Sequence, residues 1–135
     1  MNDKRGDTMT QQASILIVED DVDLNNAYKM ILGSAGYDVT SAHNGEEALA
    51  AINKTGDPDI MFLDLRMPVM DGIEFLKQYD APAHDDTTII VFSNYDAQKE
   101  VDKAYDLGAH RYVLKARAAP KELIRIVQDT LASVV

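Results

Sequence analysis

The sequence IMFLDLRMPVMDG, at residues 60–72, decides the fold of this chain. It opens with four apolar residues, and a run that is this short and this uniform predicts a strand buried on both faces. Asp64 follows where that strand should end, and an ionised carboxylate out of water is costly unless another group compensates its charge. Pro68 and Gly72 then turn the chain toward a helix. The stretch therefore predicts a buried strand that carries a carboxylate at its end.

The same pattern of an apolar run followed by polar side chains recurs along the sequence. Strands are predicted at residues 14–18, 37–42, 60–63, 88–92 and 111–114. Apolar residues at helical spacing predict helices at residues 22–34, 45–55, 73–79, 98–107 and 120–134. In the first helix the predicted inward face consists of Leu24, Ala27, Tyr28, Ile31 and Leu32.

Apolar strands that alternate with helices predict the α/β class, with one five-stranded parallel sheet covered by helices on both faces. In such sheets the ligand site lies beyond the carboxyl ends of the strands. We therefore expect the residues that follow the strands to gather at one edge of the sheet, namely Glu19, Asp20, Asp64, Ser93 and Lys115.

Length and composition narrow the function classes. The chain has 135 residues, enough for one domain, and we predict a flexible N-terminal extension at 1–13 and a single domain at 14–135. The 13 basic and 23 acidic residues give a net charge of −10, which disfavours nucleic-acid binding. The absence of cysteine excludes disulfides, and residues 1–13 resemble neither a signal peptide nor a membrane anchor. A cytoplasmic protein without membrane insertion is expected.

Three carboxylates at one edge of a sheet repel each other unless protons or a cation offset their charge. Hard oxygen ligands suit Mg²⁺, and an ionised aspartate is a competent nucleophile toward phosphorus. Lys115 supplies a positive charge and Ser93 a hydroxyl donor for a phosphoryl group. Taken singly, these residues are more typical of a helix cap, a turn and a surface lysine, and only their common position after strands favours a site. His43, His84 and His110 lack metal-ligand spacing and are interpreted as surface residues.

The chain resembles the receiver domains of bacterial two-component response regulators. The motifs that carry the resemblance are ILIVEDD at 15–21, FLDLRMPVMDG at 62–72, VFS at 91–93 and GAHRYVLK at 108–115. The resemblance covers roughly residues 14–135, and implies a flavodoxin-like, doubly wound (βα)5 fold similar to that of stand-alone chemotaxis regulators.

The resemblance also implies roles for individual residues. Asp64 would accept a phosphoryl group from a sensor histidine kinase or a histidine phosphotransfer protein. Glu19 and Asp20 would form the acidic pair, with Mg²⁺ bound by Asp20, Asp64 and the backbone carbonyl of Arg66. Lys115 would pair with the phosphoryl group. Ser93 and Tyr112 would be the switch residues that move on activation.

The sequence departs from the family pattern at a few positions. Ala116 follows Lys115 where proline is usual, and a cis bond before a residue other than proline costs about 2.5–4 kcal/mol. Asn94 is bulkier than the residue common at its position. Arg66 and Tyr95 occupy positions that, in this family, influence how long the phosphoryl group survives.

The leading hypothesis is a phosphorylation-dependent switch that is not an enzyme beyond its own phosphorylation and dephosphorylation. Unless the chain is an excised fragment, we expect no effector domain. The expected output is then contact with a downstream protein through residues 98–107, 111–114 and the last helix, with a homodimer as a further possibility. One alternative is a phosphatase of the haloacid-dehalogenase type, although Arg66 stands where those enzymes have a second acid. The other is a binding module that has kept the fold and not the chemistry.

Overall fold

The structure is a computed structural model that describes residues 13–94, 98–115 and 119–133. Its strands are β1 (Ser14–Val18), β2 (Asp38–Ala42), β3 (Ile60–Leu63), β4 (Thr88–Ser93) and β5 (Arg111–Leu114). Its helices are α1 (Val22–Ser34), α2 (Gly45–Thr55), α3 (Gly72–Tyr79), α4 (Gln98–Asp106) and α5 (Pro120–Ser133). A short 3₁₀ turn, Ala81–Ala83, follows α3. Each predicted strand and helix is present, with bounds that differ from the prediction by one residue at most among the described residues.

The five strands form one parallel sheet with the order β2-β1-β3-β4-β5. Strand β1 is flanked by β2 and β3, so the chain winds first to one side and then to the other. This doubly wound arrangement confirms the predicted flavodoxin-like α/β fold. Among the described residues, no helix has both the length and the apolar character needed to span a bilayer.

Successive strand residues point to opposite faces and build two separate cores. On one face, Ile15 and Ile17 of β1 pack with Tyr28 and Leu32 of α1 and with Leu123 of α5. The other core joins the sheet to α2, α3 and α4, through Leu16, Val18, Ala48, Phe75 and Ala104. The helices thus cover both faces, as the uniformly apolar strands predict.

The predicted inward face of α1 is wrong at one position. Ala27 is exposed, whereas Asn25 is completely buried at 0% exposure. The buried positions of α1 are Asn25, Tyr28 and Leu32, which follow the i, i+3, i+7 spacing of one helix face. A polar residue therefore occupies a position that the sequence pattern assigns to solvent.

Two further assignments are refined at the amino-terminal edge of the sheet. Ala13, predicted to belong to the extension, is buried, and its carbonyl accepts a hydrogen bond of 3.0 Å from the N–H of Asp38. The remainder of that extension, 1–12, lies outside the described residues.

His84, predicted to be a surface residue, is half-buried and packed. Its ring stacks on Tyr79 at 4.3 Å between centroids, and its Nδ1 lies 2.7 Å from Oδ2 of Asp57.

Gly72 fixes the path of the chain beneath Asp64. Its N–H donates to the carbonyl of Leu65 at 3.1 Å, and it begins α3, which Asp71 caps by accepting from the N–H of Glu74 at 2.8 Å. A Cβ added at Gly72 would lie 2.5 Å from the carbonyl oxygen of Asp64. The absence of a side chain at Gly72 therefore lets α3 start directly against the end of β3.

We predict that Gly72→Ala lowers the free energy of unfolding by about 3 kcal/mol, because the new methyl group would overlap backbone atoms. Gly33→Ala is the matched control, since a Cβ at Gly33 of α1 meets nothing within 4 Å. Alanine at this helical position should stabilise the protein by about 0.5–1 kcal/mol. Urea denaturation of both variants tests the claim, and similar effects of the two substitutions would contradict it.

Candidate functional site

The carboxyl ends of β1 and β3 bring the predicted acidic residues together. Val18 pairs with Leu63, so the next residues of the two strands, Glu19 and Asp64, are neighbours. The N–H of Asp64 donates to the carbonyl of Val18 at 3.0 Å. Each of Glu19, Asp20 and Asp64 offers a carboxylate oxygen within 4.8 Å of the others. Glu19 and Asp64 are buried, at 3% and 6% exposure, while Asp20 is exposed.

Lys115 reaches this acidic cluster from the end of β5. Its Nζ donates a hydrogen bond of 3.0 Å to Oδ2 of Asp64 and a second, short one to Oε1 of Glu19. Its side chain is only 7% exposed. The ammonium therefore lies between two carboxylates that are 45 residues apart in the sequence and become adjacent through strand pairing.

The electrostatics of the cluster follow from burial and charge. Burial raises the pKa of the Glu19 carboxyl, and the hydrogen bonds it accepts from Lys115 and from the N–H of Asp21 offset this only in part. Burial alone would lower the pKa of the Lys115 ammonium, but its hydrogen bond to Glu19 and the charge of Asp64 outweigh it and raise that pKa. The ammonium therefore stays charged, and its charge offsets part of the cost of burying the Glu19 carboxylate.

The cluster suits a hard divalent cation. Three carboxylates against one ammonium leave an excess of negative charge, and carboxylate oxygens are the ligands that Mg²⁺ prefers. Among the described residues, Glu19, Asp20 and Asp64 are the group of acids or histidines close enough together to hold a metal. The residues of the site therefore fit the predicted cofactor.

The cluster lies in an open cleft of about 300 Å³. The residues that line this cleft are Glu19, Asp20, Asp21, Leu24, Asp64, Arg66, Asn94 and Lys115. A cleft of this volume is large enough for a phosphoryl group and its cation. Asn94 is exposed at its edge, directly after β4.

The remaining predicted site residues lie near the same edge of the sheet, where the strands have their carboxyl ends. Ser93 is completely buried at the end of β4, and its strand partner is Leu114, the neighbour of Lys115. Tyr112 lies two residues further back on β5, half-buried against the core formed with α2, α3 and α4. The predictions for Tyr95 and for the Lys115–Ala116 bond fall on positions 95 and 116, outside the described residues.

Arg66 contacts both the site and helix α4. Its backbone N–H donates to Oδ1 of Asp64 at 3.2 Å, and its guanidinium Nη2 donates to Oε1 of Glu100 on α4 at 3.1 Å.

The loop that follows Asp64 contains a residue in the left-handed region. Val69 has a φ of 67°, in a turn where the N–H of Met70 donates to the carbonyl of Pro68 at 2.7 Å. A β-branched residue in this region is strained. The loop that leaves Asp64 therefore holds a conformation that its sequence does not favour.

The sequence model of the response regulator receiver domain matches residues 15–128. This chain belongs to the response regulator receiver domain family. Receiver domains are phosphoryl-accepting signalling modules of two-component systems, and the family binds Mg²⁺ at an acidic pocket.

Solved structures and curated relatives agree with the assignment of the receiver domain. Chemotaxis protein CheY4 of Vibrio cholerae has a TM-score of 0.79 at 28% identity, covering 88% of this chain and 98% of CheY4. A CheY-like receiver domain protein of Methanospirillum hungatei has a TM-score of 0.82 at 26% identity, covering 90% and 95% of the two chains.

The response regulator MprA of Mycobacterium avium is 36% identical over 112 residues, which are 83% of this chain and 48% of MprA. The probable transcriptional regulator ycf27 of Porphyridium aerugineum is 34% identical over 128 residues, 92% of this chain and 50% of that protein. The receiver domain described here thus spans about half the length of these curated relatives.

The sequence pattern did not predict the role of Asn25, which is hydrogen-bonded to the backbone of the site residue Glu19. Its side-chain amide donates at 3.0 Å to the carbonyls of both Glu19 and Ala42, and its Oδ1 accepts from the hydroxyl of Ser41 at 2.6 Å. These bonds tie α1 to the carboxyl ends of β1 and β2. The available signal was its i, i+3, i+7 spacing with Tyr28 and Leu32.

We predict that Asn25→Ala lowers the free energy of unfolding by about 2–3 kcal/mol, because it removes buried hydrogen bonds and leaves acceptors without this donor. Asn26→Ala on the exposed side of α1 is the matched control and should change stability by less than about 0.5 kcal/mol. Chemical denaturation of the two variants measures the difference. Equal stabilities would show that the amide of Asn25 does not hold the strand ends.

Proposed function

We propose that this receiver domain is a phosphorylation-dependent switch in which Asp64 accepts a phosphoryl group from a phosphohistidine. The observation that carries the proposal is the position of Asp64, buried between the Lys115 ammonium at 3.0 Å and two further carboxylates. The donor is a sensor histidine kinase or a histidine phosphotransfer protein. A carboxylate oxygen of Asp64 forms the new O–P bond as the N–P bond of the donor breaks, and the histidine leaves as imidazole.

Each neighbouring residue has a separate task in this proposal. Lys115 exchanges part of its contact with Asp64 for a phosphoryl oxygen, so positive charge is already in place where negative charge develops. The buried hydroxyl of Ser93 donates to another phosphoryl oxygen. Asp20, Asp64 and the backbone carbonyl of Arg66 would hold Mg²⁺, with Glu19 beside them. When bound, the ion neutralises phosphoryl charge during transfer.

The proposed output is a change of surface rather than a chemical product. Phosphorylation adds a charge of roughly −1.5 to −2, which the contacts of Ser93 and Lys115 must accommodate. Tyr112 packs against the core that contains Ala104 of α4, and movement of Ser93 and Tyr112 would alter the surface formed by α4, β5 and α5. A downstream protein, or a second copy of the chain, would bind this surface. We expect the reaction to take place in the cytoplasm, which is consistent with the family.

Incubation with Mg²⁺ and acetyl phosphate, a small phosphodonor, should add one phosphoryl group that hydroxylamine removes. Asp64→Asn should abolish the gain, because the amide cannot form the acyl phosphate. Asp71→Asn is the matched control: it removes a nearby carboxylate, and asparagine still caps α3. Intact-protein mass spectrometry measures the product, and a chelator should prevent its formation.

Two outcomes would overturn the proposal. One is an equal gain in Asp64→Asn and in the wild type, and the other is no gain in the wild type at all. Release of many equivalents of phosphate per protein from a generic phosphomonoester would instead favour the phosphatase alternative.

A further inference from the structure

Arg66 joins the proposed phosphorylation site to α4. Its backbone N–H contacts Asp64, and its guanidinium contacts Glu100, which is 34 residues further along the chain. Arg66 also lines the cleft that contains Asp64. One residue therefore contacts both an acid on α4 and the carboxylate that would carry the phosphoryl group.

We propose that Arg66 and Glu100 form an electrostatic latch that phosphorylation of Asp64 opens, by drawing the guanidinium from Glu100 to the phosphoryl group. This inference rests on the proposed function. The phosphoryl group brings a charge of roughly −1.5 to −2 against the single charge of Glu100. Guanidinium groups bind phosphate oxygens through charge-assisted, often bidentate hydrogen bonds. The competition therefore favours the phosphoryl group once it is present.

The contact with Glu100 is weak enough to be exchanged. The side chains of Arg66 and Glu100 are 51% and 37% exposed, so water already solvates both charges. Exposed ion pairs of this kind contribute little to stability. A buried ion pair would resist such an exchange, because breaking it leaves a buried charge without its partner.

The helix that carries Glu100 buries few of its residues in the core. Helix α4 has nine residues, and its buried residues are Val101 and Ala104. Short helices depend on such packing, because their own hydrogen bonds barely stabilise them. Glu100 lies in the first turn of α4, so loss of its contact with Arg66 acts where the helix begins. Release of Glu100 would therefore loosen the start of α4 and change the surface near Tyr105, which is 44% exposed.

The test uses beryllofluoride with Mg²⁺, a phosphoryl analogue whose affinity can be measured by isothermal titration calorimetry. Glu100→Gln should tighten binding about two- to fivefold, the range set by the strength of an exposed ion pair, because Arg66 no longer has to leave Glu100. Arg66→Gln should weaken binding. In the double variant the Glu100 substitution should have no further effect.

Asp106→Asn is the matched control, because it removes the same charge from the far end of α4 and should leave affinity unchanged. Hydrogen exchange gives a second readout: amides at the start of α4 should exchange faster in Glu100→Gln than in the free wild type. The wild type should approach the same rate when it binds the analogue.

Equal tightening by Glu100→Gln with and without Arg66 would overturn the latch, since Glu100 would then act through its own charge alone. Unchanged affinity in Glu100→Gln would overturn it as well. Both results leave the proposed function intact, because the wild type still binds the analogue. Failure of the wild type to bind would overturn the proposed function and the latch together.

Discussion

The rest of the site depends on one interaction, the contact of the buried Lys115 ammonium with both Glu19 and Asp64. Two carboxylates that lose water and lie side by side would otherwise repel each other. An ion pair of this kind is a poor source of stability, because desolvation cancels much of the attraction. Its retention at the end of a buried sheet is better explained by chemistry than by folding, and phosphoryl transfer is the chemistry that the residues fit.

The fold supplies this arrangement through strand pairing. Glu19, Asp64 and Lys115 each follow a strand of the same parallel sheet, so the register of β1, β3 and β5 decides where their side chains meet. Asn25 fastens α1 to the ends of β1 and β2, and Gly72 allows α3 to start against the end of β3. Core packing and site geometry are therefore set by the same contacts.

Much of this could be read from the sequence, because fully apolar strands and the residues directly after them give a strong, local signal. That signal predicted the sheet, and it predicted that the acidic residues and Lys115 gather at one edge of it. It failed where a contact is not local: the partner of Arg66 lies on α4, and spacing along the chain does not reveal it. It also failed at Asn25 and Ala27, because polarity is a poor guide when a buried amide satisfies backbone carbonyls. The left-handed conformation of Val69 runs against its β-branched side chain, so no sequence rule would place it there.

A crystal structure of the protein with Mg²⁺ and beryllofluoride tests the central claim most directly. Beryllofluoride should lie on a carboxylate oxygen of Asp64, with Mg²⁺ bound by Asp20 and Asp64 and with Lys115 and Ser93 in contact with the fluorine atoms. Beryllofluoride on another residue, or an unmodified Asp64 still paired with Lys115 at saturating concentration of both ligands, would contradict it.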